Sequence, residues 1–271
     1  MSKKLPAVPY LIWMVVFILL PLALVVYFAL TDSSGNFTVA NISAVAQYVP
    51  VILNSIWLAA ISTAICLVIG YPLAYLISRM DGNHQRTMVM LIMLPMWMSF
   101  LLRTYAWMTL LEGTGVINTL LGYLGLGPLR MINTQGAVIL GMVYNFLPFM
   151  ILPLYSVMVK IDKSVIEAAQ DLGANSMGVI GRVVIPLSVP GITTGIVQVF
   201  MPAISTFVIS KMLGGGSTML IGDLIELQFL GGSYNLNLGS AISLVLMVIV
   251  LLMMALTNVF DDMEDKEAMF L

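Results

Sequence analysis

Charge, cysteine and histidine are all scarce in this chain of 271 residues. Charged residues make up 9% of it and apolar residues 60%, whereas a soluble domain has about 25% charged residues, so lipid rather than water must surround most of its surface. The single cysteine, Cys66, excludes internal disulfides and cysteine-based metal clusters. Because His84 is the one histidine, a multi-histidine metal site is excluded too. The net charge of −2 gives no indication of nucleic-acid binding.

A catalytic set of side chains is equally hard to assemble. An intramembrane enzyme needs a clustered nucleophile, base or metal-binding group, and one cysteine, one histidine and scattered carboxylates do not supply one. The G-x-x-x-x-G-K-[ST] phosphate-binding loop is also missing, so we do not expect the chain to bind or hydrolyse ATP by itself. A transporter subunit is favoured over an enzyme, and a structural or sensory membrane subunit stays open as an alternative.

What the sequence does contain is a series of long apolar segments. A helix needs about 20 apolar residues to cross the hydrocarbon core, and charge-poor stretches of that length predict an all-α membrane protein with six transmembrane helices in a single domain, residues 1–271. These helices are predicted at residues 7–30, 54–78, 88–111, 136–159, 184–210 and 239–260. Several contain prolines, which mark either ordinary kinks or hinges along a pathway.

The basic residues predict how these helices are oriented. Eight of the eleven Lys and Arg residues would lie on one side of the membrane. This excess predicts a protein of the cell membrane with both termini in the cytoplasm. The eight are Lys3, Lys4, Arg79, Arg86, Lys160, Lys163, Arg182 and Lys266, while Arg103, Arg130 and Lys211 fall on the other side or within a span.

The connector between the fourth and fifth predicted helices, residues 160–183, carries the most specific pattern. Ser164 and Glu167 have the spacing of a capping box, which predicts that a helix begins there, and Gly173 is placed to end it. One face of this helix is apolar but small, so another surface can approach it closely. On these residues alone, the helix either contacts a protein or rests at the lipid interface. The face consists of Val165, Ala168, Ala169 and Leu172.

The same connector resembles the signature of binding-protein-dependent ABC importer permeases, Glu-Ala-Ala-x3-Gly-x9-Ile-x-Leu-Pro. The matching positions are Glu167, Ala168, Ala169, Gly173 and Pro186, with Val183 and Ile185 as conservative departures. Four further pieces resemble the B-type permease subunit of spermidine/putrescine importers. They are LPFMILPLYS at 147–156, GYPLA at 70–74, LIG at 220–222 and QFL at 228–230.

This resemblance implies a type I ABC importer permease fold and a mechanism. Such a permease pairs with a second homologous permease. The pair binds two copies of an ATPase on the cytoplasmic side and receives substrate from an extracytoplasmic binding protein. ATP and Mg²⁺ would be held by the ATPase, and this chain would carry no cofactor or metal. The implied substrate is a polyamine, with an amino acid or an inorganic anion as the alternative. The implied ATPase-coupling residues are Glu167, Ala168, Ala169, Asp171, Gly173 and Pro186.

Chemistry suggests which side chains would line a substrate path. A polycation favours carboxylates and aromatic faces, since a cation–π contact contributes about 0.5–2 kcal/mol, although aromatic residues near membrane edges are also common interfacial anchors. Arg103, an ionisable residue within the third span, either faces the path or pairs with an acid or with helix carbonyls; facing the path, it would repel a polyamine. The candidates are Trp97, Arg103, Tyr105, Trp107, Glu112, Tyr144, Asp223 and Glu226.

Overall fold

The computed structural model describes residues 8–232 and 234–268, with the side chains of residues 9–232 and 234–257. Lys3, Lys4 and the side chain of Lys266, on which the predicted orientation partly rests, lie outside the described part. The described chain is built from helices joined by short connectors. These are α1 (Pro9–Ala29), α2 (Ala40–Ser78), α3 (Gly82–Met93), α4 (Phe100–Leu111), α5 (Val116–Tyr123), α6 (Gln135–Met158), α7 (Lys163–Asp171), α8 (Ser176–Ser205), α9 (Val208–Gly214), α10 (Ile221–Leu230) and α11 (Leu236–Ala268).

The third predicted crossing, residues 88–111, is not one continuous helix. Within residues 8–232 and 234–268, five helices are long and apolar enough to cross a membrane, namely α1, α2, α6, α8 and α11, whereas α3 and α4 form a pair bent by 88°. Pro95 lies in the tight turn that ends α3, and the extended backbone of Met98 and Ser99 then breaks the helix. The all-α architecture is confirmed, and six crossings result when the bent pair is counted as one.

Helices α2, α6 and α8 pack against one another at the centre of the fold. Glycines let α8 approach α6 closely, because a Cβ on Gly195 would lie 2.6 Å from the sulfur of Met150 and a Cβ on Gly191 would lie 3.1 Å from the carbonyl oxygen of Pro153. A hydrogen bond of 2.9 Å between the hydroxyls of Tyr71 and Ser188 also joins α2 to α8. Helices α2, α6 and α8 therefore form the closely packed centre of the fold, to which the connectors are attached.

The two ends of α8 separate two groups of candidate functional residues. Helix α7 comes directly before the N-terminus of α8, and α9 and α10 follow its C-terminus. The 30 residues of α8 extend about 45 Å at 1.5 Å per residue, which exceeds the thickness of the hydrocarbon core. The α7 region and the α9–α10 region therefore lie on opposite sides of a membrane that α8 crosses.

Candidate functional site

Helix α7 begins at a different residue from the one that its sequence pattern predicts. The side-chain oxygen of Asp162 accepts a hydrogen bond of 2.9 Å from the backbone N–H of Ser164, so Asp162 is the N-cap. The predicted capping box of Ser164 and Glu167 is therefore wrong, and the exposed Glu167 lies in the body of the helix. Asp162 prevails because a carboxylate is a stronger acceptor than a hydroxyl at the positive end of a helix. The hydrogen bonds from Ser164 lower the pKa of Asp162 below its ordinary value.

The C-terminal end of α7 lies just before Gly173, as the sequence predicts. Gly173 has a φ of +86°, a left-handed conformation that suits glycine. Its N–H donates to the carbonyl of Gln170 at 2.8 Å, and the N–H of Ala174 donates to the carbonyl of Ala169 at 3.0 Å; these are the two bonds of a Schellman motif. The side chain of Asn175 then caps α8 by accepting the N–H of Gly178 at 2.8 Å. Hydrogen bonds thus fix the turn between α7 and α8.

The two neighbouring alanines of α7 face in different directions. Ala169 packs, together with Ile166, against a small apolar cluster of the same chain, whereas Ala168 is exposed. The prediction of one shared free face is therefore wrong for Ala169, because that position is already used for packing within the chain. The cluster consists of Ile161, Val179 and Val184.

The outward side of this region presents apolar side chains. Leu172 is 90% exposed and Met177 is 77% exposed, on either side of the turn at Gly173. Asp171 and Pro186, two members of the predicted ATPase-coupling set, are exposed as well. The region therefore has an inner face that anchors it and an outer face that is free to contact a partner.

One residue that the sequence analysis used only for orientation ties this region to the bundle. Arg79, which follows α2, donates from Nη1 to the carbonyl of Ile161 at 3.1 Å and from Nη2 to the carbonyl of Met158 at 3.5 Å. Its guanidinium carbon lies 5.4 Å from the ring centroid of Tyr75. Because Met158 ends α6, the cation sits at the C-terminal end of that helix, where the helix dipole favours positive charge. A basic residue at a span end was visible in the sequence, but the carbonyls that it meets were not.

At the other end of α8, an ion pair joins α9 to α10. The Nζ of Lys211 lies 2.7 Å from each carboxylate oxygen of Glu226. The neighbouring Asp223 is buried and accepts the N–H of Leu220 at 2.8 Å. Burial raises the pKa of Asp223, and the hydrogen bond from Leu220 opposes that change only in part. The structure therefore brings together two of the predicted substrate-path carboxylates and adds Lys211, which sequence reasoning had not paired with them.

Glu226 borders two cavities of different size. One, of about 130 Å³, is lined by residues that include Ser210, Thr218 and Asp223. The other, of about 370 Å³, is lined mainly by apolar side chains that include Phe207 and Phe229. The side chain of Glu226 thus borders both a small cavity that also contains Asp223 in its wall and a larger cavity with two aromatic side chains in its wall.

The other predicted substrate-path residues do not line either of these cavities. Trp97 is exposed at the bend before α4, and Tyr105 is exposed on α4 itself. Trp107 and Tyr144 form an edge-on aromatic pair with 5.3 Å between ring centroids. Glu112 is exposed at the end of α4. These residues lie along the bent third crossing and its neighbour α6.

Arg103 lies on the packed side of α4, opposite to Tyr105. Its side chain is 8% exposed, and its Nε and Nη1 atoms have no hydrogen-bond partner among the described residues. Pairing with an acid or with helix carbonyls, one of the two alternatives for Arg103, is therefore not found for these two nitrogen atoms. Since α4 packs against α9 and α6, Arg103 faces the interior of the subunit.

Known proteins resemble this chain over most of its length. It is 39% identical over 251 residues to the spermidine/putrescine transport system permease protein PotB of Haemophilus influenzae, covering 89% of this chain and 87% of the relative. The corresponding PotB of Escherichia coli is 36% identical over 252 residues, covering 89% and 91%. The inner membrane ABC transporter permease protein YdcU of Escherichia coli is 31% identical over 235 residues, covering 80% and 74%.

Solved structures confirm the fold. A bacterial ABC transporter that imports the acidic polysaccharide alginate contains a chain with a TM-score of 0.77 at 20% identity, covering 95% of this chain and 93% of that one. A second structure, the alginate transporter in complex with its alginate pentasaccharide-bound periplasmic protein, gives a TM-score of 0.78 at 18% identity, covering 93% and 90%. The type I importer permease architecture predicted from the sequence is thus confirmed.

The family assignment follows from a match that covers most of the chain. Residues 38–266 match the family model described as binding-protein-dependent transport system inner membrane component. This agrees with the prediction of a multi-pass transporter subunit that is not an enzyme. The chain belongs to the family of binding-protein-dependent transport system inner membrane components.

Proposed function

We propose that this chain is the membrane-spanning permease subunit of an ATP-driven importer that moves spermidine and putrescine into the cytoplasm. Support for the substrate comes from the two PotB relatives, which are named for transport of these polyamines and are 39% and 36% identical to the chain. The carboxylates Asp223 and Glu226 have the charge that a polycation requires. The anionic alternative loses its main support, because Arg103 faces the interior of the subunit.

The way in which α7 is fixed to the rest of the chain is the observation that supports the proposed mechanism. Its start is fixed by Asp162, its end by the turn at Gly173 and its attachment to the bundle by Arg79. A short helix held in this way moves as a unit with α8, whose cap follows only a few residues later. We propose that the exposed side of α7 contacts a cytoplasmic ATPase, so that closure of an ATPase dimer displaces α7 and α8 together.

The rest of the assembly follows from this role. A second, homologous permease would complete the pathway, each permease would engage one of two ATPase copies, and ATP with Mg²⁺ would bind to the ATPase and not to this chain. An extracytoplasmic binding protein would deliver the substrate to the α9–α10 side; the structural neighbour solved with its periplasmic protein supports this partner class. Lys160 lies just before α7, Lys163 is its first residue and Arg182 follows it, and these basic residues support a cytoplasmic position for α7. With six crossings, a cytoplasmic α7 would give two cytoplasmic termini.

Reconstitution tests this proposal directly. The chain, its companion permease, the ATPase and the binding protein are purified, assembled in proteoliposomes and supplied with ATP. We expect uptake of radiolabelled spermidine or putrescine and stimulation of ATP hydrolysis by the loaded binding protein. Vesicles without the ATPase are the control and should take up neither polyamine. Robust uptake of an unrelated solute with no uptake of either polyamine would contradict the proposed substrate.

A further inference from the structure

The ion pair between Lys211 and Glu226 is unequal in its burial. The side chain of Glu226 is 22% exposed, while that of Lys211 is 60% exposed. The side chain of Glu226 is therefore part of the wall of both cavities, whereas the side chain of Lys211 is mostly exposed. Exchange of this lysine for another cation would leave the backbone of α10 in place.

The lysine side chain has the chemistry of a polyamine end. It carries a primary ammonium on a chain of four methylene groups, as putrescine does, and its three N–H donors bind carboxylate oxygens from many directions. Here its Nζ contacts both oxygens of Glu226 at 2.7 Å. Lys211 thus occupies Glu226 in the way that one end of a free diamine would.

The surroundings of Glu226 suit the rest of a linear polyamine. Asp223 lies on the wall of the smaller cavity and offers a second carboxylate, so that the cluster of Lys211, Asp223 and Glu226 has one more acidic than basic group. In the larger cavity, Phe207 and Phe229 offer apolar surface for methylene groups and aromatic faces for a second ammonium. Alternating anionic and aromatic surface matches a molecule in which ammonium groups alternate with methylene chains.

We propose that Glu226, assisted by Asp223, is an exchangeable binding site for a primary ammonium of the substrate, and that Lys211 occupies this site until the substrate displaces it. This inference rests on the proposed polyamine function. It makes Lys211 an internal competitor of the substrate, and therefore assigns opposite roles to the two partners of one ion pair.

Opposite roles give opposite effects on polyamine binding. Glu226→Gln removes the acceptor charge and should weaken binding by about tenfold or more, because hydrogen bonds to charged groups are among the strong ones. Lys211→Met removes the competitor while keeping the apolar stem, and should strengthen binding by about tenfold. The double variant should resemble Glu226→Gln, because removing a competitor has no effect once its site is lost. A merely structural ion pair would instead give losses of the same sign for both single variants.

The experiment measures equilibrium binding of radiolabelled spermidine and putrescine to the permease–ATPase complex, purified without the binding protein so that this protein does not contribute affinity. Asp32→Asn is the control, because it also removes one carboxylate charge but lies in the turn after α1, where its side chain accepts the N–H of Ser34 and Asn36. Thermal unfolding of each variant establishes that the complex is intact.

Tighter binding by Lys211→Met with weaker binding by Glu226→Gln would support the site. The inference is overturned if the two variants change binding in the same direction, if Lys211→Met has no effect, or if the parent imports polyamines but does not bind them without the binding protein. In those cases the proposed function stands, because uptake by the reconstituted parent is unaffected. If the parent neither binds nor imports either polyamine, it is the proposed function that fails.

Discussion

Leu172 provides the sharpest test of the ATPase contact. It is 90% exposed, so its side chain adds almost nothing to the stability of the isolated permease and is nearly all available for burial by a partner. Burying a leucine side chain fully contributes about 1.5–3 kcal/mol. Because Leu172→Ala keeps the Cβ, we expect it to cost about 1–2 kcal/mol of ATPase binding, which corresponds to about a 5- to 30-fold weaker Kd.

The assay titrates the purified ATPase onto the permease pair in nanodiscs and measures Kd, with thermal unfolding of the permease in parallel. Leu124→Ala is the matched control, because Leu124 is 75% exposed and lies in the connector between α5 and α6, on the opposite side of the membrane from α7. It should leave ATPase binding unchanged. Parental ATPase affinity in Leu172→Ala, or a loss of permease stability in that variant, would refute the reasoning.

The two alanines of α7 extend the same test. Ala168→Trp places a bulky ring on the exposed side and should block ATPase binding while the permease melts as the parent does. Ala169→Trp forces the ring into the cluster of Ile161, Val179 and Val184, and should destabilise the permease by about 1–3 kcal/mol through overpacking. If instead Ala168→Trp destabilised the permease and Ala169→Trp blocked ATPase binding, α7 would present its Ala169 side to the ATPase.

Three further predictions concern orientation and the fixing of α7. Cysteines introduced at Ser34 and Ser176 should react with impermeant thiol reagents from opposite sides of the membrane, and reaction of both from one side would contradict the topology. Arg79→Gln should lower permease stability by about 1.5–3 kcal/mol, the range for hydrogen bonds of charged groups, whereas Arg86→Gln, on an exposed residue, should not; equal unfolding temperatures would argue against the Arg79 contacts. The pKa of Asp162 is lowered from its ordinary value of 3.8, so its stabilising effect is present above that value and is lost as the pH falls through the lower folded-state pKa. The protection factors of the first-turn amides of α7, corrected for the pH dependence of intrinsic exchange, should therefore fall on acidification in the parent but not in Asp162→Asn, and equal responses would contradict the cap.

The apolar segments predicted most of the crossings because length and lack of charge are sufficient signals for a helix in lipid. The break in the third crossing had no such signal. Pro95 was visible, but Pro72, Pro148 and Pro153 were equally visible and lie within continuous helices. What differs at the break is the extended backbone of Met98 and Ser99, and a local sequence pattern does not distinguish a tolerated proline from one that ends a helix.

The cluster around Glu226 was predicted only in part for a related reason. Asp223 and Glu226 stood out because carboxylates are rare in this chain, and the search for a polycation site selected them. Lys211 was counted instead among the basic residues that determine orientation. Its pairing with Glu226 depends on the turn between α9 and α10, which brings two helices side by side and is not visible as a periodic pattern.

Helix α7 shows why a correct helix prediction did not give the correct contact face. At 3.6 residues per turn, Ile166 and Ala169 form one apolar stripe, while Val165, Ala168 and Leu172 form another. The sequence offers both stripes and does not indicate which one packs against its own chain. That choice is made by the cluster formed where the chain returns after Gly173, which covers the Ala169 stripe. Because the Ala169 stripe is then covered and the Ala168 stripe is exposed, we assign the ATPase contact to Ala168 and Leu172. The two neighbouring alanines of the family signature therefore serve different surfaces: Ala169 packs against its own chain, and Ala168 faces the partner.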